Sequence, residues 1–249
     1  MLYGICNLSI ASLRLEPTDQ SELTSQVLYG EHFKVLEKRK KWSKVRIAYD
    51  KFEGWLNNNQ YIEISEDQYK KLDKDDIPLS SDLVEFIENK SKELIPIVLG
   101  SSLSNLDLLD CSYDGNTTIG KLKKENLLNT AFLYLNAPFL NGGKTPFGID
   151  CSGFTQMVYK LNGHKLKREA SQQATQGEAL SFIEESEPGD LAFFDNTDGE
   201  IIHVGIIMKD NYIIHAHGKV RIDRLDHSGI YNADKKEHTH KLRVIKKII

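Results

Sequence analysis

One cysteine and two histidines carry the chemistry legible in this sequence. Cys151 follows a glycine-containing loop and an acid, in Gly148-Ile149-Asp150-Cys151-Ser152-Gly153-Phe154. After it, Phe154, Met157, Val158 and Leu161 recur at i, i+3, i+4 and i+7, which predicts an amphipathic helix with the thiol in its first turn. A helix start carries partial positive charge and unpaired N–H groups, which favour a thiolate and can hold an oxyanion. A lone cysteine in a helix is more often a small buried apolar residue, so the thiol alone decides little. His203 heads the strand-like run His203-Val204-Gly205-Ile206-Ile207-Met208, where a helix-facing imidazole can act as base to the thiol. His215 follows in the next run, beyond the turn Lys209-Asp210-Asn211, so antiparallel pairing brings both histidines to one end of a hairpin. There His215 can hold the tautomer of His203, completing a nucleophile, base and orienter.

The elements around these residues predict an α+β domain over 123–249. Leu127, Leu128, Ala131 and Leu135 suggest a helix from Lys123 to Leu135, and a further helix is expected from Ser171 to Ala179. Four strands should follow, at Asp190–Phe194, Ile201–Met208, Asn211–Ala216 and Lys219–Leu225. Residues 1–64 read as a small antiparallel barrel of five short strands with a long loop at 12–26. Residues 65–78 are acidic and end in Pro78, as a linker with a single helical turn would, and 79–122 form a weakly patterned β-rich stretch.

Composition narrows the function. The chain has 249 residues, 40% hydrophobic and 27% charged, with a net charge of −4. No basic footprint points to nucleic acid, and no apolar run is long enough to span a membrane. The N-terminus lacks a basic region followed by an apolar core, so the expected location is the cytoplasm, or the periplasm if a leader has been removed. Cysteines at 6, 111 and 151 make an odd, widely spaced set, which fits free thiols better than a disulfide framework. Zinc is a weak alternative. His215 and His217 share a strand face near His203 and Cys151, but no glutamate stands where a metal hydrolase keeps its base. No metal or other cofactor is called for.

Several motifs, in order, resemble the NlpC-type peptidases, which are papain-like enzymes of peptidoglycan metabolism. They are P-F-L-N-G-G-K-T-P-F-G-I-D-C-S-G-F (138–154), R-E-A-S-Q-Q (168–173), P-G-D-L-A-F-F (188–194), H-V-G-I-I (203–207) and Y-I-I-H-A (212–216). The resemblance implies that Cys151 is the nucleophile, His203 the general base and His215 the orienting residue. Upstream, Trp42-Ser43-Lys44-Val45 and Gly54-Trp55-Leu56 are similar to bacterial SH3-like domains, and 79–122 is expected to be a degenerate second one. That domain order resembles a subgroup that cleaves γ-D-glutamyl-L-diamino acid bonds in recycled wall peptides with a free N-terminal L-Ala. For this chain it implies that Asp150 holds the substrate amine, helped by Glu22 in S-E-L-T-S-Q-V-L-Y-G-E (21–31). Ser152, Phe52, Asn141, Arg168 and Ser171 complete the expected substrate-binding set, and helix capping explains Ser171 nearly as well.

The sequence departs from the subgroup in places. Phe139 and Asn141 stand where Tyr and Trp are common, which removes a flat apolar wall and alters the pocket. Phe52 stands where a Tyr hydroxyl often reaches the amine, and it has no hydroxyl to offer, although Tyr49 is close by in sequence. The rival readings are an endopeptidase acting on intact peptidoglycan and a non-catalytic wall-peptide binder, which would have no need of Cys151, His203 and His215.

Overall fold

Short runs rich in β-branched and aromatic residues, broken by polar turns, fold the first part of the chain into seven strands. The computed structural model describes all 249 residues. The strands are β1 (Leu2–Ile5), β2 (Ile10–Arg14), β3 (Leu23–Leu28), β4 (His32–Lys38), β5 (Trp42–Ile47), β6 (Glu53–Asn57) and β7 (Ile62–Ile64). They are hydrogen-bonded in the order β3-β2-β6-β5-β4-β1-β7, and every pairing is antiparallel. Alternate side chains turn inward, so Ala11, Leu13, Val27, Phe33, Val45 and Leu56 share one buried cluster. The loop expected at 12–26 is mostly the β2–β3 hairpin. Its polar outward residues, such as Ser12 and Thr24, hid the alternation.

Residues 65–78, expected as a linker, contain the helix α1 (Glu66–Leu72), capped reciprocally by Ser65 and Gln68. Tyr69 and Leu72 are its buried residues, and the Tyr69 ring lies 4.6 Å from that of Tyr3. The charged outer face obscured this inward pair. The stretch 79–122 holds β8 (Leu79–Ser80), β9 (Val84–Asn89), β10 (Leu94–Val98), β11 (Cys111–Tyr113) and β12 (Thr117–Thr118). These make one sheet ordered β10-β9-β11 and a two-stranded β12-β8 pair, around Tyr29, Ile87, Ile97 and Leu103.

The chain divides into two units: Met1–Lys121 with Asn141–Pro146, and Leu122–Leu140 with Phe147–Ile249. The first unit therefore includes a short later piece, carrying β13 (Lys144–Thr145). There the Lys144 N–H donates to Gln26 Oε1 at 2.7 Å, and its ammonium, 1% exposed, lies 3.3 Å from Glu31 Oε1. Gly142 has φ 77°, and a Cβ there would sit 2.3 Å from the Leu23 carbonyl oxygen, so only glycine fits.

The second unit holds α2 (Asn126–Phe132), β14 (Gly148–Ile149), α3 (Cys151–Leu161) and α4 (Ala170–Gln173). Then come β15 (Glu178–Leu180), β16 (Leu191–Asp195), β17 (Ile201–Ile207), β18 (Tyr212–His217), β19 (Lys219–Asp226), β20 (Gly229–Asn232) and β21 (Glu237–Lys247). The helix expected at 171–179 is thus a single turn, and Glu178–Leu180 instead pairs with β21 as an edge strand. The sheet order is β15-β21-β16-β17-β18-β19-β20, and β21 also pairs with β20, which closes six strands into a ring. Ala192, Phe194, Ile207, Ile213, Leu225 and Ile230 cluster on one sheet face. The expected helix at 123–135 forms over a shorter range, and no helix of the chain is long and apolar enough to cross a membrane.

Candidate active site

Helix α3 is buried from Ser152 to Leu161, which fixes the position of its first turn. Gln173 binds it twice, accepting from Thr155 Oγ1 at 2.7 Å and donating from Nε2 to the Ser152 carbonyl at 2.9 Å. Tyr159 donates its hydroxyl to the Gly189 carbonyl at 2.6 Å. Asp150 is the N-cap, its Oδ1 accepting the Gly153 N–H at 2.6 Å. Cys151 follows, half-buried, with the backbone of Val204 and Ser152 close enough to its thiol to favour the thiolate. Val204 is the neighbour of His203, so the thiol sits against β17 beside that residue.

The register explains how the histidines meet. Gly205 pairs with His215, and His215 pairs with Arg221, so these positions share one face of the sheet with His203 and Asp223. A Cβ on Gly205 would lie 2.9 Å from that of His215, so the glycine leaves the imidazole its room. His203 Nε2 and His215 Nδ1 are 2.8 Å apart, and His215 Nε2 lies 3.0 Å from Asp223 Oδ2. All three side chains are buried. His203 pairs with Phe194 of β16 and so shares a sheet face with Phe194 and Ile207, alternate to Val204 and Ile206. The ring of His240 stacks on that of His203 at 4.2 Å.

Burial dominates the electrostatics. It pushes the Cys151 thiol up to about 12, the Asp150 charge adds to this, and the Val204 backbone and Arg168 oppose it. Burial also holds His203 well below 6.5, with His215, His240 and His217 acting the same way. The resting pair is therefore a thiol and a neutral imidazole, and the helix start does not by itself make a thiolate. A neutral His203 is the proton-accepting form, so activity persists at neutral pH and is lost as pH falls through its depressed value. The acid limb of kcat/KM is expected to have its midpoint below 6.5. A midpoint at or above that value would show that His203 is not the titrating base.

Comparison with known proteins settles what this arrangement belongs to. The NlpC/P60 family profile matches residues 136–239, and the profile of the bacterial dipeptidyl-peptidase SH3 domain matches 13–60. The chain carries an NlpC/P60 cysteine peptidase domain. It is 28% identical to a dipeptidyl-peptidase 6 from Lysinibacillus sphaericus, over 87% of this chain and 89% of that one. Identity to a gamma-D-glutamyl-L-lysine dipeptidyl-peptidase from Bacillus cereus is 25%, over 80% and 68% of the two chains. A crystal structure of an NlpC/P60 family protein from Bacillus cereus superposes with a TM-score of 0.82 at 19% identity, covering 99% of both chains, which shows the shared fold.

Within the NlpC/P60 domain, Asp150 and Arg168 form a buried two-pronged ion pair at 3.0 and 2.6 Å. Ser152 Oγ joins it, accepting from Arg168 Nη1 at 3.0 Å. Three expected substrate-binding residues are therefore bonded to one another at the nucleophile's helix start. Ser171 is exposed in α4, whose N-cap is Glu169, so it caps nothing. In the first unit Glu22 is exposed and accepts from Asn141 Nδ2 at 2.8 Å, while Phe52 and Tyr49 pack against the barrel core. No group of three or more His, Cys, Asp or Glu side chains is arranged to hold a metal ion. Sequence reasoning missed Asp223 and His240. Asp223 falls with Arg221 at the polar positions of the alternating run Val220-Arg221-Ile222-Asp223 and so reads as outward, whereas His240 lies in a strand that was not anticipated.

Proposed function

We propose that this chain hydrolyses the γ-D-glutamyl–L-diamino acid bond of short peptidoglycan peptides with a free N-terminal L-Ala, in the recycling of wall peptides within the cytoplasm. The observation that carries the reading is the buried His203–His215 pair, 2.8 Å apart, beside a thiol at a helix start in an NlpC/P60 domain. The nitrogen of His203 not engaged by His215, Nδ1, takes the Cys151 proton as sulfur attacks the γ-carbonyl carbon. Backbone N–H groups in the first turn of α3 stabilise the charge that develops on the carbonyl oxygen. His203 then gives its proton to the departing amine, leaving a thioester. Water, deprotonated by the same imidazole, cleaves the thioester and restores the thiol. Two relatives are named dipeptidyl-peptidases, and such an enzyme counts residues from a free amino end, which supports the free-peptide substrate.

Family resemblance gives the amine to Asp150 and Glu22. Asp150 already neutralises Arg168, so Glu22 is expected to be the more discriminating of the two. The test compares L-Ala-γ-D-Glu-diaminopimelate and its lysine counterpart, each free and N-acetylated, together with purified sacculi, by mass spectrometry. A charge-assisted hydrogen bond contributes about 1.5–3 kcal/mol, so acetylation is expected to lower kcat/KM by about 10–100-fold. Glu22→Gln should narrow that ratio without changing the rate on the acetylated peptide. Equal rates on free and blocked peptides, or solubilised sacculi, would replace this reading with that of an endopeptidase acting on the intact wall.

A further inference from the structure

The hydrogen bonds do not stop at His215. Asp223, 4% exposed, accepts from Arg221 as well, at 2.7 Å from Nε to Oδ2 and 2.9 Å from Nη2 to Oδ1. Arg221 in turn reaches Asp234, an exposed carboxylate, at 2.8 Å. Every group facing Asp223 in this chain of contacts can therefore be a donor.

We infer that Asp223 is a positioning residue that sets the tautomers of both histidines, and through them decides which nitrogen of His203 carries the free lone pair. This rests on the peptidase reading above only for its consequence, since the bonds themselves are independent of it. The deduction runs from the buried end outward. Burial resists the Asp223 charge, but hydrogen bonds from His215 and Arg221 outweigh it and hold the carboxyl below its usual range, so it is ionised and has no proton to give. His215 Nε2, 3.0 Å away, must then bear a hydrogen. Burial, the largest effect on His215, lowers its affinity for a second proton despite Asp223, so the ring is neutral and its Nδ1 can only accept. His203 Nε2, 2.8 Å from that Nδ1, is thereby the donor, and the lone pair of His203 is left on Nδ1. One carboxylate thus fixes two protons in sequence and leaves the base open on the nitrogen that is not bonded to His215.

The acceptor, more than the charge, is what this role needs, and two substitutions separate them. Asp223→Leu removes the acceptor. Asp223→Asn retains one oxygen for His215 and Arg221 Nε, turning its amide nitrogen towards Arg221 Nη2, which keeps Asp234 as a partner. Long-range proton–nitrogen NMR of 15N-histidine protein reads the tautomers directly and requires no turnover. Wild type and Asp223→Asn should show hydrogen on Nε2 of both His203 and His215, with kcat of Asp223→Asn within about tenfold of wild type. Asp223→Leu should show mixed tautomers at both rings and a kcat lower by about 10–100-fold at little-changed KM, the pattern of a misplaced base. Asp234→Asn, which alters only the exposed end, should leave both readouts unchanged. Hydrogen on Nδ1 of His203 in the wild type, or unaltered tautomers and kcat in Asp223→Leu, would overturn the inference. Should Asp223→Leu fail to fold, the wild-type and Asp223→Asn spectra still decide it. Correct tautomers in an enzyme that cleaves no wall peptide would defeat the proposed function and leave this assignment standing.

Discussion

Cys151→Ala is expected to abolish peptide hydrolysis while leaving the fold intact. The thiol is half-buried and packs at the start of α3, where the helix is held by the Asp150 cap, Gln173 and Tyr159 rather than by the sulfur. Removing one sulfur atom from such a site should cost about 1 kcal/mol, which for a chain of this size lowers the thermal midpoint by only about 2–4 °C. Catalysis has no substitute. No other cysteine lies at a helix start: Cys6 is buried in the barrel core, where burial pushes its thiol up to about 12, and Cys111 is in a strand. Cys151→Ser should be nearly as inactive, because a hydroxyl yields its proton far less readily to a neutral imidazole. Circular dichroism and a coupled assay on the free tripeptide check both halves, and turnover near that of wild type in Cys151→Ala would remove it as the nucleophile.

His215→Ala is the second large effect. The imidazole is fully buried between His203 and Asp223, so its loss leaves His203 Nε2 without its acceptor and the ring without a fixed plane. An orienter acts on the base as it takes the proton, so kcat should fall by about 10²–10³-fold with KM changed little. His215→Asn places an amide oxygen near the former Nδ1 and should recover a good part of that loss. Stopped-time kinetics on both variants, with thermal melts to confirm folding, provide the check. A normal kcat for His215→Ala would mean that His203 needs no partner on Nε2.

The candidate site was legible where chemistry and period coincide. Cys151 announced itself because four apolar residues at helical spacing follow it, and the two histidines because each begins or ends an apolar β-run. Asp223 was hidden because a charged residue in Lys219–Asp226 reads as an outward position, and only the pairing of β18 with β19 reveals that it points inward. Motif matching named Arg168 and Ser152 but could not show that Arg168 is bonded to both Ser152 and Asp150. In the first unit, α1 was read as no more than one turn because only Tyr69 and Leu72 face inward, too few to stand out among seven residues. Closure of the β16–β21 ring depends on β21, whose mixed Lys-Arg-Ile pattern carries no clear alternation.

The late contribution of residues 141–146 to the first unit bears on how the protein is made and how it can be rearranged. Ribosomal synthesis finishes residues 1–121 well before Gly142 and Lys144 emerge, so the first unit gains its last strand only when the chain has already begun the second. Neither unit can be cut out as a continuous stretch of gene. A fragment beginning at Leu122 would carry the 141–146 loop without Gln26 and Glu31, the partners of Lys144. Any exchange of the barrel between relatives must therefore carry this short loop with it, which ties two regions far apart in sequence into a single heritable module.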